Sequence, residues 1–435
     1  MRLIDSVLSR SGPSNHWHRK FLALVLNLML MVPGKPTFRN LSRYSEYEEK
    51  TFSRGFGRAY DWVQINYAAI REVIPSDHEQ ALVLDASFIG KSGRQTYGLD
   101  YFWNGTASRA EKGLEISALG WLDITGHQAY SLSVEQTPAR EAVSANEPTT
   151  DSRQQASQTQ DKGKGKNKHQ SKTQAIHEES RIQAYVSQVH RVVQSLPLPW
   201  PKYLIVDGYY SKKLFLDGVC ELGLDLIGKL RTDADMRYLY TGPRRSGAGA
   251  PKRFDGKVDW SDLSRFERIE TDQPGVVLYQ QKLNHRHFKR TLNVVVMLDS
   301  SGKKNRRTIF FSTDLELDTQ TLLRYYRARF DIEFLFRDAK QCTGLGQCQA
   351  RDPDKLHNHF NASLSAVSFA KLEAQQQAGG QLTEPFSIHS LQRRAFNQHF
   401  LNQIIAQLDQ GQTFDESSPV YQTLCNYGTI SQQAA

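Results

Sequence analysis

Cysteine is scarce: Cys220, Cys342, Cys348 and Cys425 are the only four in 435 residues. Cys342 and Cys348 stand six apart with no second close pair, which excludes a zinc-finger spacing and a disulfide framework. Free thiols in a reducing cytosol are expected, and with them a cytoplasmic, nucleoid-associated protein. Long apolar runs are also missing. The best candidate, "FLALVLNLMLMV" (21–32), has twelve residues and is stopped by Pro33-Gly34, whereas a membrane span needs about 20. No small-residue cleavage site follows it, so a buried helix is expected. Aromatic residues vanish between Ser131 and Gln183. The stretch around "DSRQQASQTQDKGKGKNKHQSKTQ" cannot bury apolar area, and a disordered loop is expected over 137–180. Acidic residues are outnumbered, 46 against 55 Lys and Arg, for a net charge of +9. That balance suits a polyanionic partner, though many basic proteins touch no nucleic acid.

What remains reads as soluble and globular, 39% hydrophobic and 23% charged, with a length suited to about two to four domains. Residues 1–75 look helical. Within them "RNLSRYSEYEEKTFSRGFGRAYDW" (39–62) suggests two short helices, Ser45 and Glu48 forming a capping box for the second. Arg39, Arg43, Lys50, Arg54 and Arg58 make this a candidate helix-turn-helix reader of DNA, with Arg43 and Arg54 as phosphate contacts. The bland alternative is a helical bundle with solvated charges. "ALVLDASFIG" (81–90) reads as a buried strand carrying Asp85, and "LEISALGWLDI" with "QAYSLSVEQ" as a hairpin about "TGH". A helix is expected near 176–195. "KYLIVDGYYSKKLFLDGVCELGLDLIGKLR" (202–231) gives strand, helix, strand, with Asp207 where the apolar run ends and Ser211 able to cap the helix. Short strands broken by Gly and Pro occupy 236–305, and "RTIFFSTD" (307–314) returns to the main sheet.

"YYRARFDIEFLFRDAKQ" (325–341) holds Tyr326, Arg329, Glu333 and Lys340 at intervals of three, four and seven. On one continuous helix Arg329, Glu333 and Lys340 fall at roughly 300°, 340° and 320° from Tyr326, a narrow polar stripe. Leu323, Phe330 and Phe334 flank it, and Ile332, Leu335 and Phe336 cover the other side. A solvated surface helix with i,i+4 ion pairs is the plain alternative. Asp331 and Asp338 point away from Glu333 and are expected to be solvent or salt-bridge residues. Simple solvation is likewise expected for Asp100, Asp123 and Asp217. Lone carboxylates in apolar strands are costly unless paired or bound to a cation. Asp85, Asp207 and Glu333 together would suit a hard divalent ion. "GLDYFWNGTASRAEKGLEIS" (98–117) sets Tyr101 and Trp103 beside Arg109 and Lys112, a mixture suited to single-stranded or distorted DNA and equally to a packed hairpin lip.

"VLDASFI", "YLIVDGYY" and the Tyr326-x2-Arg329-x3-Glu333-x6-Lys340 pattern resemble the DDE-type transposases of bacterial insertion sequences. The closer likeness is to the group with a Y-R-E-K signature and a β-strand insertion before the last acid. The resemblance covers roughly 80–375. It implies an α/β, ribonuclease-H-like mixed sheet flanked by helices, with a β-rich insertion and a helical N-terminal domain. The implied divisions are 1–75 for DNA binding, 76–235 and 306–375 for the catalytic core, 236–305 for the insertion and 376–435 for a C-terminal helical region. Asp85, Asp207 and Glu333 would be catalytic and would hold two Mg²⁺ ions, with Mn²⁺ substituting. Tyr326, Arg329 and Lys340 would grip phosphates. Trp260 in the insertion would stack on a flipped base. The partners implied are terminal inverted repeats and target DNA, bound by a homodimer on paired ends. The alternatives are a nuclease of the same fold that joins no strands, and a non-catalytic DNA-binding regulator.

Overall fold

A computed structural model describes residues 1–140, 165–243, 250–302, 305–379, 386–408, 416–417, 421–422 and 425; at 165–177, 403–404 and 406–408 the backbone alone is described. The chain divides into two units, one comprising Met1–Gln80, Ala86–Gln136 and Phe330–Ala435, the other Ala81–Asp85 and Thr137–Arg329. Strand β1 (Gln80–Gly90) therefore begins and ends in the first, while its middle, Ala81–Asp85, belongs to the second.

The first unit opens with five helices: α1 (Arg2–Ser11), α2 (His16–Met29), α3 (Phe38–Arg43), α4 (Glu49–Gly55) and α5 (Trp62–Val73). The apolar run of 21–32 is a buried helix as expected, with Phe21, Leu22, Val25 and Leu26 each at most 2% exposed. Among the described residues no helix is long and apolar enough to cross a membrane. The expected capping box is absent. Glu48, not Ser45, precedes α4 and makes no side-chain cap, while the Ser45 hydroxyl donates to the Leu41 carbonyl at 3.2 Å. The hairpin appears as β3 (Arg109–Asp123) and β4 (Gln128–Gln136), and a further short strand, β2 (Asp100–Asn104), pairs with the start of β3. At the unit's centre is α10 (Pro353–Gln377), capped by Asp352 with proline behind it. Two of its buried asparagines bond to backbone. Asn361 exchanges two 2.9 Å hydrogen bonds with the Val134 backbone, and Asn358 reaches the Phe56 and Arg58 carbonyls at 2.8 and 2.7 Å. Two more helices, α9 (Asp331–Gln341) and α11 (Ile388–Leu408), complete the unit.

In the second unit, residues of β1 run parallel to β5 (Tyr203–Val206), and β5 parallel to β6 (Asp225–Leu230), across a crossover through α7 (Lys213–Glu221). This is the expected βαβ unit. Ser211 does not cap α7; its hydroxyl donates to the Lys229 carbonyl at 2.7 Å, tying the crossover back to β6. Antiparallel strands continue through β12 (Arg306–Ser312), β11 (Arg290–Asp299) and β10 (Val276–His285) to β7 (Met236–Leu239) and β8 (Phe254–Lys257), with β9 (Glu267–Ile269) also on β10. Helix α6 (Gly165–Ser195) starts earlier than expected. The expected loop thus gives way to helix at 165, where Lys and Gln are good helix formers; its residues 141–164 lie outside the described residues. An antiparallel meander and a parallel βαβ pair, both built from β1, make this a mixed α/β, ribonuclease-H-like fold.

Candidate active site

Leu84 of β1 and Val206 of β5 are register partners on parallel strands, so the next residues, Asp85 and Asp207, leave neighbouring strands about 4.8 Å apart. This is the carboxyl end of a parallel pair, where α/β sheets place ligands. Both side chains are partly exposed. Asp207 caps the short 3-10 turn Gly208–Tyr210, its carboxylate accepting from the Tyr209 N–H at 2.9 Å. That bond fixes the carboxyl at the strand's end.

Helix α8 (Thr319–Ala328), capped by Asp318, packs on β5, β6 and β12 of the same unit. It brings Tyr326 edge-on to Phe310, ring centroids 4.8 Å apart. Just beyond its end, Arg329 is 7% exposed and donates to the Asp85 carboxylate at 3.3 Å. Its guanidinium lies 5.9 Å from the Tyr326 ring centroid. Burial raises the Tyr326 phenol above its ordinary range; Arg329 pulls it down, while Asp207 and Asp85 push it further up. Four of the expected site residues thus share one electrostatic neighbourhood.

Residues 325–341 are not one helix. α8 ends at Ala328, α9 begins at Asp331, and the boundary between units falls between Arg329 and Phe330. Arg329 N–H bonds to Tyr326 O and Glu333 N–H to Phe330 O, i−3 bonds that tighten the chain into a turn. The four-residue stripe is therefore interrupted at its middle. Glu333 is exposed on the first turn of α9 and Lys340 on the last, where desolvation by the surrounding protein lowers its ammonium pKa. Ile332, Leu335, Phe336 and Ala339 bury the opposite face, whereas Phe330 and Phe334 remain 47% and 48% exposed.

Asp123, expected to be solvated, is buried, and Asp338 takes the salt-bridge alternative expected for it. Asp123 is 0% exposed, bound by His78 Nδ1 at 2.9 Å and by the Gly126 N–H at 2.9 Å. Asp338 is buried against the Lys371 ammonium at 3.6 Å and Arg337 at 3.1 Å. Burial raises the Asp331 carboxyl pKa and lowers that of Lys371. Asp217 pairs with Lys213 on α7. His78 for Asp123 and Lys371 for Asp338 escaped the sequence reading because both partners are distant in the chain. Lys371 alone left a signal, a single cation inside the apolar run "LSAVSFAKL".

The remaining candidates are dispersed. Arg109 and Lys112 are exposed on β3, Arg109 donating to Glu111 at 2.7 Å. Arg43 and Arg54 are exposed on α3 and α4. Arg43 borders a concavity with Lys20, Tyr44, Tyr47, His399 and Phe400. Trp260 is half-buried, its indole N–H donating to the Ala234 carbonyl at 2.9 Å and its ring packed near Phe266.

Hard divalent cations take carboxylate oxygens, and Asp85 with Asp207 supplies them from adjacent strand ends. In type, this donor pair fits. In number it is two of the three expected ligands: among the described residues no three His, Cys, Asp or Glu side chains gather closely enough to hold a metal ion. Arg329 supplies the positive charge beside Asp85.

A family model described as DDE superfamily endonuclease matches residues 12–274. The matched span includes Asp85 and Asp207 and ends before Tyr326, Arg329, Glu333 and Lys340. No curated protein matches the chain.

Proposed function

Because the chain belongs to the DDE superfamily of endonucleases, we propose that it is a cut-and-paste DNA transposase of the Y-R-E-K group, cleaving transposon ends and joining them to target DNA. The observation that carries this reading is the pairing of Asp85 and Asp207 at neighbouring strand ends, with Tyr326 and Arg329 beside them. A nuclease-type activity follows from the family; end binding and strand transfer are the finer proposal.

Asp85, Asp207 and Glu333 are the proposed ligands of Mg²⁺, or Mn²⁺ in its place. Two such ions, when bound, supply the Lewis acidity that activates a water or a 3′-hydroxyl and steadies the leaving oxygen. The protein's own contribution is orientation. Asp207 is fixed by its turn, and Arg329 offers a planar fork that matches phosphate oxygens. Tyr326 donates its hydroxyl while its ring stays packed on Phe310, and Lys340 adds a point charge. Arg43 and Arg54, with Arg109 and Lys112, neutralise the backbone of the terminal inverted repeats. Two ends held together imply a homodimer.

The test supplies a duplex carrying the repeat that borders the coding region, nicked to expose its 3′-OH, with a supercoiled target and Mg²⁺. Joined product is expected from the parent chain. Asp85→Ala, Asp207→Ala and Glu333→Ala should each abolish cleavage and joining while retaining end binding. Normal joining by any of the three variants rejects the ligand assignment. Nicking without joining points to a hydrolytic nuclease, and inactivity at every Mg²⁺ and Mn²⁺ concentration points to a DNA-binding regulator.

A further inference from the structure

β2 alternates without a break. Phe102 is 2% exposed, while its neighbours Tyr101 and Trp103 are 55% and 62% exposed. A strand's two-residue period puts those two rings on one face, about 7 Å apart. β3 supplies the rest of that face, since directly opposed residues of an antiparallel pair point the same way. Tyr101 is opposite Lys112 and Trp103 opposite Ala110, both exposed. The methyl of Ala110 is too small to cover an indole. Lys112 sets an ammonium beside the phenol.

The ledge is held from below and at its edge. Phe102 anchors it in the unit's core. On the opposite face the Glu111 carboxylate accepts from Asn104 and from Arg109, each at 2.7 Å. Those bonds lower the Glu111 pKa, Asn104 first and Arg109 next. Within the paired residues 100–104 and 109–113 the acids are Asp100 and Glu111, and they stand in register with Gly113 and Phe102 rather than with the exposed rings. Of Tyr101, Trp103, Ala110 and Lys112, one side chain carries a positive charge and none a negative one.

Large rings left open to water are unusual unless something covers them. Unpaired bases offer π-faces to stack on and phosphates to neutralise, and base–aromatic stacking tolerates any sequence. A duplex hides those faces within its own stack. A spacing of about 7 Å also spans roughly two base steps of 3.4 Å.

We propose that Tyr101, Trp103 and Lys112 form a ledge that binds unpaired DNA, the rings stacking on bases and the ammonium holding a phosphate between them. The proposal deepens the reading above and rests on it: DNA is the substrate, and the ledge selects its single-stranded or frayed form.

The full chain in EDTA, where no metal-dependent cleavage runs, is titrated with a short single-stranded oligonucleotide containing 2-aminopurine and with the corresponding duplex. Tyr101→Ala and Trp103→Ala should each weaken single-strand binding by roughly 5- to 100-fold and leave duplex binding unchanged. Trp103→Phe should retain most of the affinity and still quench 2-aminopurine fluorescence. The ledge is overturned if the alanine variants bind the single strand like the parent, or if they lose single strand and duplex alike. An altered oligomeric state in sedimentation with unaltered single-strand binding would mean that the face docks a second copy instead, and would also overturn it. Failed joining with these binding results intact removes only the catalytic reading. Intact joining with parent-like binding by Trp103→Ala removes only the ledge.

Discussion

Arg329 donates to Asp85 at 3.3 Å, and the two side chains are only 8% and 17% exposed. Removing one partner of such a pair strands the other's charge, which typically costs about 3 kcal/mol, whereas replacing both with apolar groups costs far less. In metal-free buffer Arg329→Ala should therefore lose about 3 kcal/mol in urea unfolding, and Arg329→Met with Asp85→Leu much less. Added Mg²⁺ should restore part of the loss in Arg329→Ala, because the stranded carboxylate is then open to a cation. Equal losses in the single and double variants, with no effect of Mg²⁺, would contradict the pair's role. At this scale the sequence was legible for acids lying in apolar strands, since "VLDA" and "LIVDG" each interrupt a buried run. It was silent on what neutralises them. Asp85 and Arg329 are 244 positions apart, and Asp123 takes its partner His78 from 45 positions away.

Among the elements, the hairpin of β10 and β11 carries its own titratable group. His285, at the end of β10, is 6% exposed, stacks on Phe288 at 3.7 Å, and accepts the Phe288 N–H on Nδ1 at 3.2 Å. Burial first, and then His287, lower its pKa from 6.5 to about 4, against an opposing pull from Asp235. Between those values the unfolded chain binds more protons than the folded one, so stability rises with pH across the window. The contribution is fully present above 6.5 and is lost as pH falls through about 4. His285→Asn keeps an acceptor for Phe288 and removes the titration. Its thermal stability should change less than the parent's between these two pH values, and parallel curves would contradict the assignment. Most elements were readable because periodicity is local: the buried α2, the β3–β4 hairpin and the βαβ unit all stand where their patterns place them. The break at Arg329–Phe330 was not readable. "RARFDIE" contains no Pro or Gly, and every residue tolerates a helix. The interruption coincides with the boundary between compact units, a tertiary fact that local propensity does not encode. The cap misread at Ser211 likewise reflects a partner from another element, the Lys229 carbonyl, whereas at Ser45 a local acceptor, the Leu41 carbonyl four residues back, takes the hydroxyl.

Across the whole molecule, the acids divide between units as the elements do. Asp85 and Asp207 belong to one, Glu333 to the other, and the family match reaches only the first two. Acid order, the insertion and the signature spacing carried the expectation of a third ligand, and the net charge of +9 carried that of a polyanion. The central claim is that all three carboxylates meet at the same ions during catalysis. Iron-mediated backbone cleavage tests it most directly. Fe²⁺ replaces Mg²⁺ in the full chain bound to an end duplex, ascorbate and peroxide generate hydroxyl radicals at the ion, and the fragments are mapped. The account predicts cuts clustered beside Asp85, Asp207 and Glu333, all suppressed by excess Mg²⁺. Cuts beside Asp85 and Asp207 with none near Glu333, or cuts elsewhere that Mg²⁺ does not suppress, would contradict it.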